Sequence, residues 1–199
     1  MAGVVLAGGR SRRMGVSKAT LDWRGERLVC RVSSRLAAVV EGPVVVVRAP
    51  GQPLPDLPHG VGLTQDAHPD RGPLEGLAAG MRAVAGEADV VFVSTVDAPL
   101  LRPELVRLLL GALEPGDEIA APSVAGQSYP LTAAWRLSTL RAVETALTAD
   151  RLRVRDLLDA CATRLVTELD LRAVDPELES LLNLNDPGAY AAALARAVE

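Results

Sequence analysis

Residues 3–18, GVVLAGGRSRRMGVSK, decide how this chain is built. The first five are a continuous apolar run, the pattern of a strand buried on both faces. Gly8 and Gly9 follow at once, then Arg10, Arg12, Arg13, Gly15 and Lys18. Open α/β sheets bind ligands outside the carboxyl ends of their strands, so a glycine- and cation-rich loop at this place reads as a ligand loop. Glycines let the backbone approach a ligand closely, and successive N–H groups in such a loop form an anion-binding concavity. Arg10, Arg12, Arg13 and Lys18 place four cations within nine residues, about the charge of a triphosphate. The alternative is a solvated basic loop whose glycines serve only the turn. Four like charges in so short a segment disfavour it unless an anion compensates them.

The loop is neither of the two commonest glycine-rich motifs. A P-loop requires GxxxxGK[ST], whereas Gly15 is followed by Val16 and Lys18 lies three places on. A dinucleotide fingerprint requires GxGxxG, and here Gly8 and Gly9 are adjacent.

Two more Val-rich runs, PVVVVRA at 43–49 and DVVFVSTVD at 89–97, repeat the buried-strand pattern. Between the first run and the second, 27–40 places Leu28, Val32, Leu36 and Val39–Val40 on one helical face. Helices open at Pro73 and Pro103, where the missing N–H of proline is tolerated in the first turn. The second turns Leu105, Leu108, Leu109 and Leu113 inward. This alternation predicts parallel strands with right-handed crossovers and helices on both faces, a Rossmann-like three-layer α/β fold. Strands are expected at 118–124 and 128–135, joined by a turn at 125–127. Helices should follow at 138–148 and 153–160, a strand at 163–169, and a last helix from Pro187 capped by Asn185 or Asp186. The Pro/Gly-rich stretch 50–62 reads as a surface loop too short to separate domains, so one domain over 1–199 is expected.

Composition narrows the function. A hydrophobic fraction of 49% in 199 residues supports a sizeable core, and a net charge of -4 gives no basic field for nucleic acid. Cys30 and Cys161 lack CxxC spacing and read as buried free thiols in a reducing compartment. No signal-peptide pattern is found at the start, and no apolar run reaches the ~18 residues of a membrane span. A cytoplasmic protein with no membrane contact is the expectation.

Leu6-Ala7-Gly8-Gly9-x-Ser11-x-Arg13-Met14-Gly15-x-x-Lys18 resembles the signature of the molybdenum cofactor guanylyltransferase family, the MobA-like nucleotidyltransferases. Further landmarks occur in the family's order along nearly the whole chain. They are Gln65-Asp66, Gly72-Pro73-Leu74-x-Gly76, Val96-Asp97-Ala98-Pro99-Leu100, Tyr129-Pro130-Leu131 and Asn183-Leu184-Asn185-Asp186-Pro187. The resemblance implies the nucleotide-diphospho-sugar transferase type of fold and transfer of GMP from GTP to the phosphate of molybdopterin, with Mg²⁺ as cofactor. Other proteins of cofactor biosynthesis would be transient partners.

By residue, the resemblance implies that Leu6, Ala7, Gly8, Gly9 and Lys18 bind the nucleotide, that Lys18 and Arg13 neutralise its phosphates, and that Asp66 meets guanosine. It makes Asp97 the metal ligand, joined by Asn185. An aspartate suits guanine because one carboxylate accepts from N1–H and the exocyclic amine together. Without the resemblance, an aspartate ending a strand as Asp97 does is more often a turn former or helix cap; Asp66 has the alternative of a loop-starting residue and Asn185 that of capping the last helix. Three departures stand out: Ser17 where the family has an acid, Arg48 where a polar residue such as Asn is expected, and Tyr129 in place of histidine. They leave room for CTP, for another phosphorylated acceptor, or for a nucleotide-binding homologue without turnover. A glycosyltransferase would need a DxD-type acid pair, and Val96-Asp97-Ala98 lacks the second acid.

Overall fold

The computed structural model describes residues 1–8, 17–68, 71–184 and 186–196. Its strands are β1 (Ala2–Leu6), β2 (Asp22–Trp23), β3 (Glu26–Arg27), β4 (Val44–Arg48), β5 (Val61–Gln65), β6 (Val90–Thr95), β7 (Ile119–Val124), β8 (Gln127–Ser128), β9 (Ala133–Arg136) and β10 (Thr163–Val166). The α-helices are α1 (Leu28–Ala37), α2 (Pro73–Ala83), α3 (Pro103–Gly111), α4 (Leu140–Thr148), α5 (Asp156–Ala160), α6 (Glu168–Val174) and α7 (Pro187–Arg196).

The main sheet runs β5-β4-β1-β6-β9-β7-β10, with β8 paired to β7. It is mostly parallel; β9 runs antiparallel to both β6 and β7. From β1 the chain steps outward through β4 to β5, then returns to place β6 on the other side of β1. That reversal of strand order opens a crevice at the carboxyl edge, where open α/β sheets bind ligands. Leu6 is in register with Val47 of β4 and with Thr95 of β6. Residues following all three strands therefore converge on one edge.

Both faces are covered, which is why the central strands are apolar through residues 2–6, 44–47 and 90–93. Val5, Val44, Val46 and Phe92 point into a core shared with α1, α3 and the C-terminal segments. Val4, Leu6, Val45, Val47, Val91 and Val93 point into a second core under α2, α4 and α5. The predicted helical face of α1 is inside: Leu28, Val32 and Leu36 are buried, with Val40 just beyond them. In α3, Leu105 and Leu109 are buried and Leu108 and Leu113 pack partly against the same core.

Several expectations change. The stretch 50–62 is a loop only as far as residue 60, because Val61 opens β5 at the sheet edge. Its exposed Gly62 and Leu63 and polar Thr64 and Gln65 present no continuous apolar run. The strand expected over 128–135 divides into β8 and β9, separated by Tyr129-Pro130-Leu131-Thr132. The strand expected to reach 169 stops at Val166, where Thr167 caps α6 by accepting from the Asp170 N–H. Asp186 caps the last helix, its Oδ1 accepting from the Ala189 N–H. Cys30 and Cys161 are free thiols, half-buried rather than fully enclosed. No described helix is long and apolar enough to cross a membrane.

Candidate active site

Asp97 lies two residues past the end of β6, and Lys18 opens a short 3-10 turn, Lys18–Thr20. Buried Ala19 anchors that turn, and the hydroxyl and N–H of Thr20 both donate to the Ser17 carbonyl. Lys18 Nζ reaches Asp97 Oδ2 at 2.7 Å, and the Thr95 hydroxyl donates to Asp97 Oδ1 at 2.5 Å. Each side chain of the ion pair is mostly shielded from water. Two arginines of α1 pin the segment after Asp97: Arg31 Nε donates to the Pro99 carbonyl at 2.9 Å and Arg35 Nη1 to that of Leu101 at 2.7 Å.

The late asparagine motif arrives at the same place. The Leu184 N–H donates to the Asp97 carbonyl at 3.0 Å, holding 183–184 beside the acidic residue. Upstream, fully buried Asp175 accepts from the Glu179 and Ser180 N–H groups and meets Arg102, tying this segment to the start of α3.

Asp66 stands on the other side of β1. Its N–H donates to the Arg48 carbonyl, continuing the β4–β5 pairing by one residue. A Cβ on Gly8 would lie 3.2 Å from Asp66 Oδ2, and one on Gly76 would lie 3.1 Å from Oδ1. Glycine at both positions is what allows the first loop, the Asp66 carboxylate and α2 to meet. Oδ1 is buried with no hydrogen-bond partner among the described residues. Burial, reinforced by the negative charge of Glu75, raises the Asp66 carboxyl to about 6. Glu75 is itself buried in the first turn of α2, with His68 Nδ1 at 3.1 Å from Oε1 and Arg71 Nη1 at 3.7 Å from Oε2.

Leu6 and Ala7 are buried and Gly8 is exposed. The N–H groups of Ala7 and Gly8 both donate to the Val47 carbonyl, at 2.8 and 3.1 Å. Neither is therefore available to a phosphate, which narrows the anion-binding concavity expected of this loop. Gly9, Arg10, Ser11, Arg12, Arg13, Met14 and Gly15, together with Asn185, lie outside the described residues.

The structure thus brings Lys18, Asp97 and the Asn183-Leu184 segment together, and places Leu6, Ala7, Gly8 and Asp66 along the same carboxyl edge. Sequence reasoning did not single out Thr95, Glu75 or Gln52. Gln52 had a local signal, a Pro50-Gly51 pair typical of a type II turn. Thr95 acquires its meaning from Asp97 two residues on, and Glu75 from Asp66, His68 and Arg71.

Three comparisons bear on this arrangement. The sequence model of the MobA-like NTP transferase domain matches residues 3–166. A probable molybdenum cofactor guanylyltransferase of Mycobacterium tuberculosis is 39% identical over 194 residues, covering 93% of this chain and 89% of that protein. A molybdenum cofactor guanylyltransferase of Desulfosudis oleivorans is 30% identical, covering 92% and 89%. Among solved structures, the molybdopterin-guanine dinucleotide biosynthesis protein A of Archaeoglobus fulgidus superposes with a TM-score of 0.82 at 22% identity, covering 99% of this chain and 98% of that one. At that identity it speaks for the fold.

Proposed function

The chain belongs to the MobA-like NTP transferase family, and from that premise we propose that it transfers GMP from GTP to the terminal phosphate of molybdopterin, releasing pyrophosphate. The observation that carries this reading is the meeting of Lys18 and Asp97 at the sheet's carboxyl edge. A lysine adjoining a nucleotide loop offers a point charge to phosphate oxygens, and an aspartate offers hard oxygens to a divalent cation.

In this mechanism a terminal phosphate oxygen of molybdopterin attacks the α-phosphorus in line. The bond from the α-phosphorus to the bridging oxygen breaks, and pyrophosphate leaves with the electron pair. No covalent nucleophile is required. The protein supplies positioning and preorganised charge, which dominate catalysis of such transfers. Lys18 and Arg13 neutralise the triphosphate, Leu6, Ala7, Gly8 and Gly9 line it, and Asp66 accepts from the Watson–Crick edge of guanine.

The carboxylate of Asp97 fits Mg²⁺. It is a half-buried pair of hard oxygens, one steadied by Thr95. Among the described residues no three of His, Cys, Asp or Glu form a metal cage. Mg²⁺ is commonly held by one or two carboxylates plus substrate phosphates and water. Asp97 would hold it with Asn185, and the ion, when bound, would offset the repulsion between two phosphorylated substrates. One domain over 1–199, a cytoplasmic setting and transient contact with other cofactor-biosynthesis proteins complete the reading.

The test is pyrophosphate release from each of the four nucleoside triphosphates with Mg²⁺, with and without molybdopterin, for wild type and Asp97→Ala. Release from GTP alone, dependent on molybdopterin and lost in the variant, supports the proposal. Release from CTP instead would retain the mechanism and overturn the base assignment. GTP binding without any release would point to a homologue that has lost turnover.

A further inference from the structure

Gln52 lies outside every motif named above, yet its side-chain amide reaches from the 49–52 turn to both ends of the nucleotide loop. Ala49-Pro50-Gly51-Gln52 forms a turn closed by the Gln52 N–H donating to the Ala49 carbonyl at 3.1 Å. Proline at the second position and Gly51 with φ 71 at the third are the requirements of a type II turn. The turn folds the side chain of Gln52 back over the ends of β1 and β4. Its Oε1 accepts from the Ala49 N–H at 3.0 Å, and its Nε2 donates to the Ala7 carbonyl at 3.0 Å and to Ser17 Oγ at 2.9 Å. Its backbone carbonyl accepts from Arg48 Nη1 at 3.2 Å. The partners also fix the amide orientation, since Ala49 N can only donate and Ala7 O can only accept.

We propose that Gln52 is a positioning residue for nucleotide binding, because its amide nitrogen joins Ala7, at the entry to the glycine loop, to Ser17, the residue before Lys18. This rests on the reading of 6–18 as the nucleotide loop. One nitrogen holds both ends of that loop, so the distance from the end of β1 to Lys18 is set from outside it. Ser17, which departs from the family's acidic residue, is an acceptor in this bridge. Arg48, the second departure, steadies the backbone that carries Gln52.

The experiment compares Gln52→Ala, Gln52→Glu, Ser17→Ala and the double variant Gln52→Ala/Ser17→Ala. It reads GTP binding, KM for GTP, KM for molybdopterin and melting temperature. Losing three side-chain hydrogen bonds, two of them to the loop, predicts a rise in the GTP KM of about tenfold in Gln52→Ala, with the molybdopterin KM unchanged. Gln52→Glu keeps the acceptor for Ala49 but sets a carboxylate against the Ala7 carbonyl, so its GTP KM should rise at least as much. Ser17→Ala should show a smaller rise, and the double variant none beyond Gln52→Ala, because both act through one bridge. Wild-type GTP affinity in Gln52→Glu would reduce Gln52 to a turn former and overturn the proposal. So would unchanged kinetics in Gln52→Ala, or an equal rise in both KM values accompanied by a fall in melting temperature. Failure of the wild type to bind GTP would be seen before any variant is made, and would instead remove the reading of the loop itself.

Discussion

Lys18 and Asp97 are 79 positions apart in the chain and 2.7 Å apart in space, Nζ against Oδ2. Each keeps the other's charge compensated in a partly enclosed setting, and both charges are the ones a nucleotide and its metal would use. Asp97→Ala should lower pyrophosphate release by at least about a hundredfold, since it removes the hard oxygens proposed to hold Mg²⁺. Asp97→Asn keeps the shape without the charge and should fall nearly as far. Initial rates against Mg²⁺ concentration check this: recovery of Asp97→Asn to wild-type rates at high Mg²⁺ would show that the charge matters only for affinity.

Gly8 leaves no room for a side chain. An added Cβ would lie 3.1 Å from the Ala49 nitrogen and 3.2 Å from Asp66 Oδ2. The backbone neighbour cannot yield cheaply, so Gly8→Ala should displace the loop or the Asp66 carboxylate. GTP affinity is expected to fall about tenfold or more, while the melting temperature moves by no more than about 4 °C. Isothermal titration beside thermal melting separates the two effects.

The acid–base behaviour of Asp66 gives a pH dependence with a definite sign. Burial, then Glu75, raise its carboxyl from 3.8 to about 6, so the protonated form persists to higher pH in the folded protein. The neutral acid cannot accept two guanine donors, so GTP affinity should decline as pH falls through about 6. For stability the same shift acts the other way. Its contribution is fully present below 3.8 and is lost as pH rises through about 6. Glu75→Gln removes the second cause and should move the binding midpoint downward. Because the terminal phosphate of GTP titrates in the same region, the comparison of the two proteins over about pH 5 to 8 is the measurement. Identical midpoints would separate Asp66 from nucleotide binding.

Asp175 is fully buried, accepts two backbone N–H groups and meets Arg102 Nε at 3.2 Å. Asp175→Ala leaves those donors without partners and should cost about 2–3 kcal/mol. For a chain of this size that is a fall in melting temperature of about 4–12 °C. Asp175→Asn retains one acceptor oxygen and should lose less. Thermal melts of the two variants suffice, and equal, negligible shifts would show that solvent replaces the lost contacts.

Much of the architecture was legible because parallel strands buried on both faces must be apolar at every position. Residues 2–6, 44–47 and 90–93 meet that condition and the edge strand β5 does not, so β5 was concealed within a Pro/Gly-rich loop. The two-residue strands β2 and β3 escaped notice for a related reason. Their signal is confined to a tight turn at Arg24-Gly25, where φ is 54 and 86. Helix starts at Pro73, Pro103 and Pro187 were visible because proline at the first turn is a local rule.

Local chemistry therefore sufficed for the fold class, for the glycine loop at the end of β1 and for an aspartate at the end of β6. Those depend on patterns a few residues long: a run of Val, a pair of glycines, an acid after a strand. What the sequence could not express was which of these groups meet. The pairing of Lys18 with Asp97, the seating of Asp66 between Gly8 and Gly76, the pressure of Glu75 on its proton, and the bridge of Gln52 from Ala7 to Ser17 arise from contacts that the folded chain alone creates. Their energies depend on distances set by the packing of the whole sheet, so only the tertiary structure could decide them.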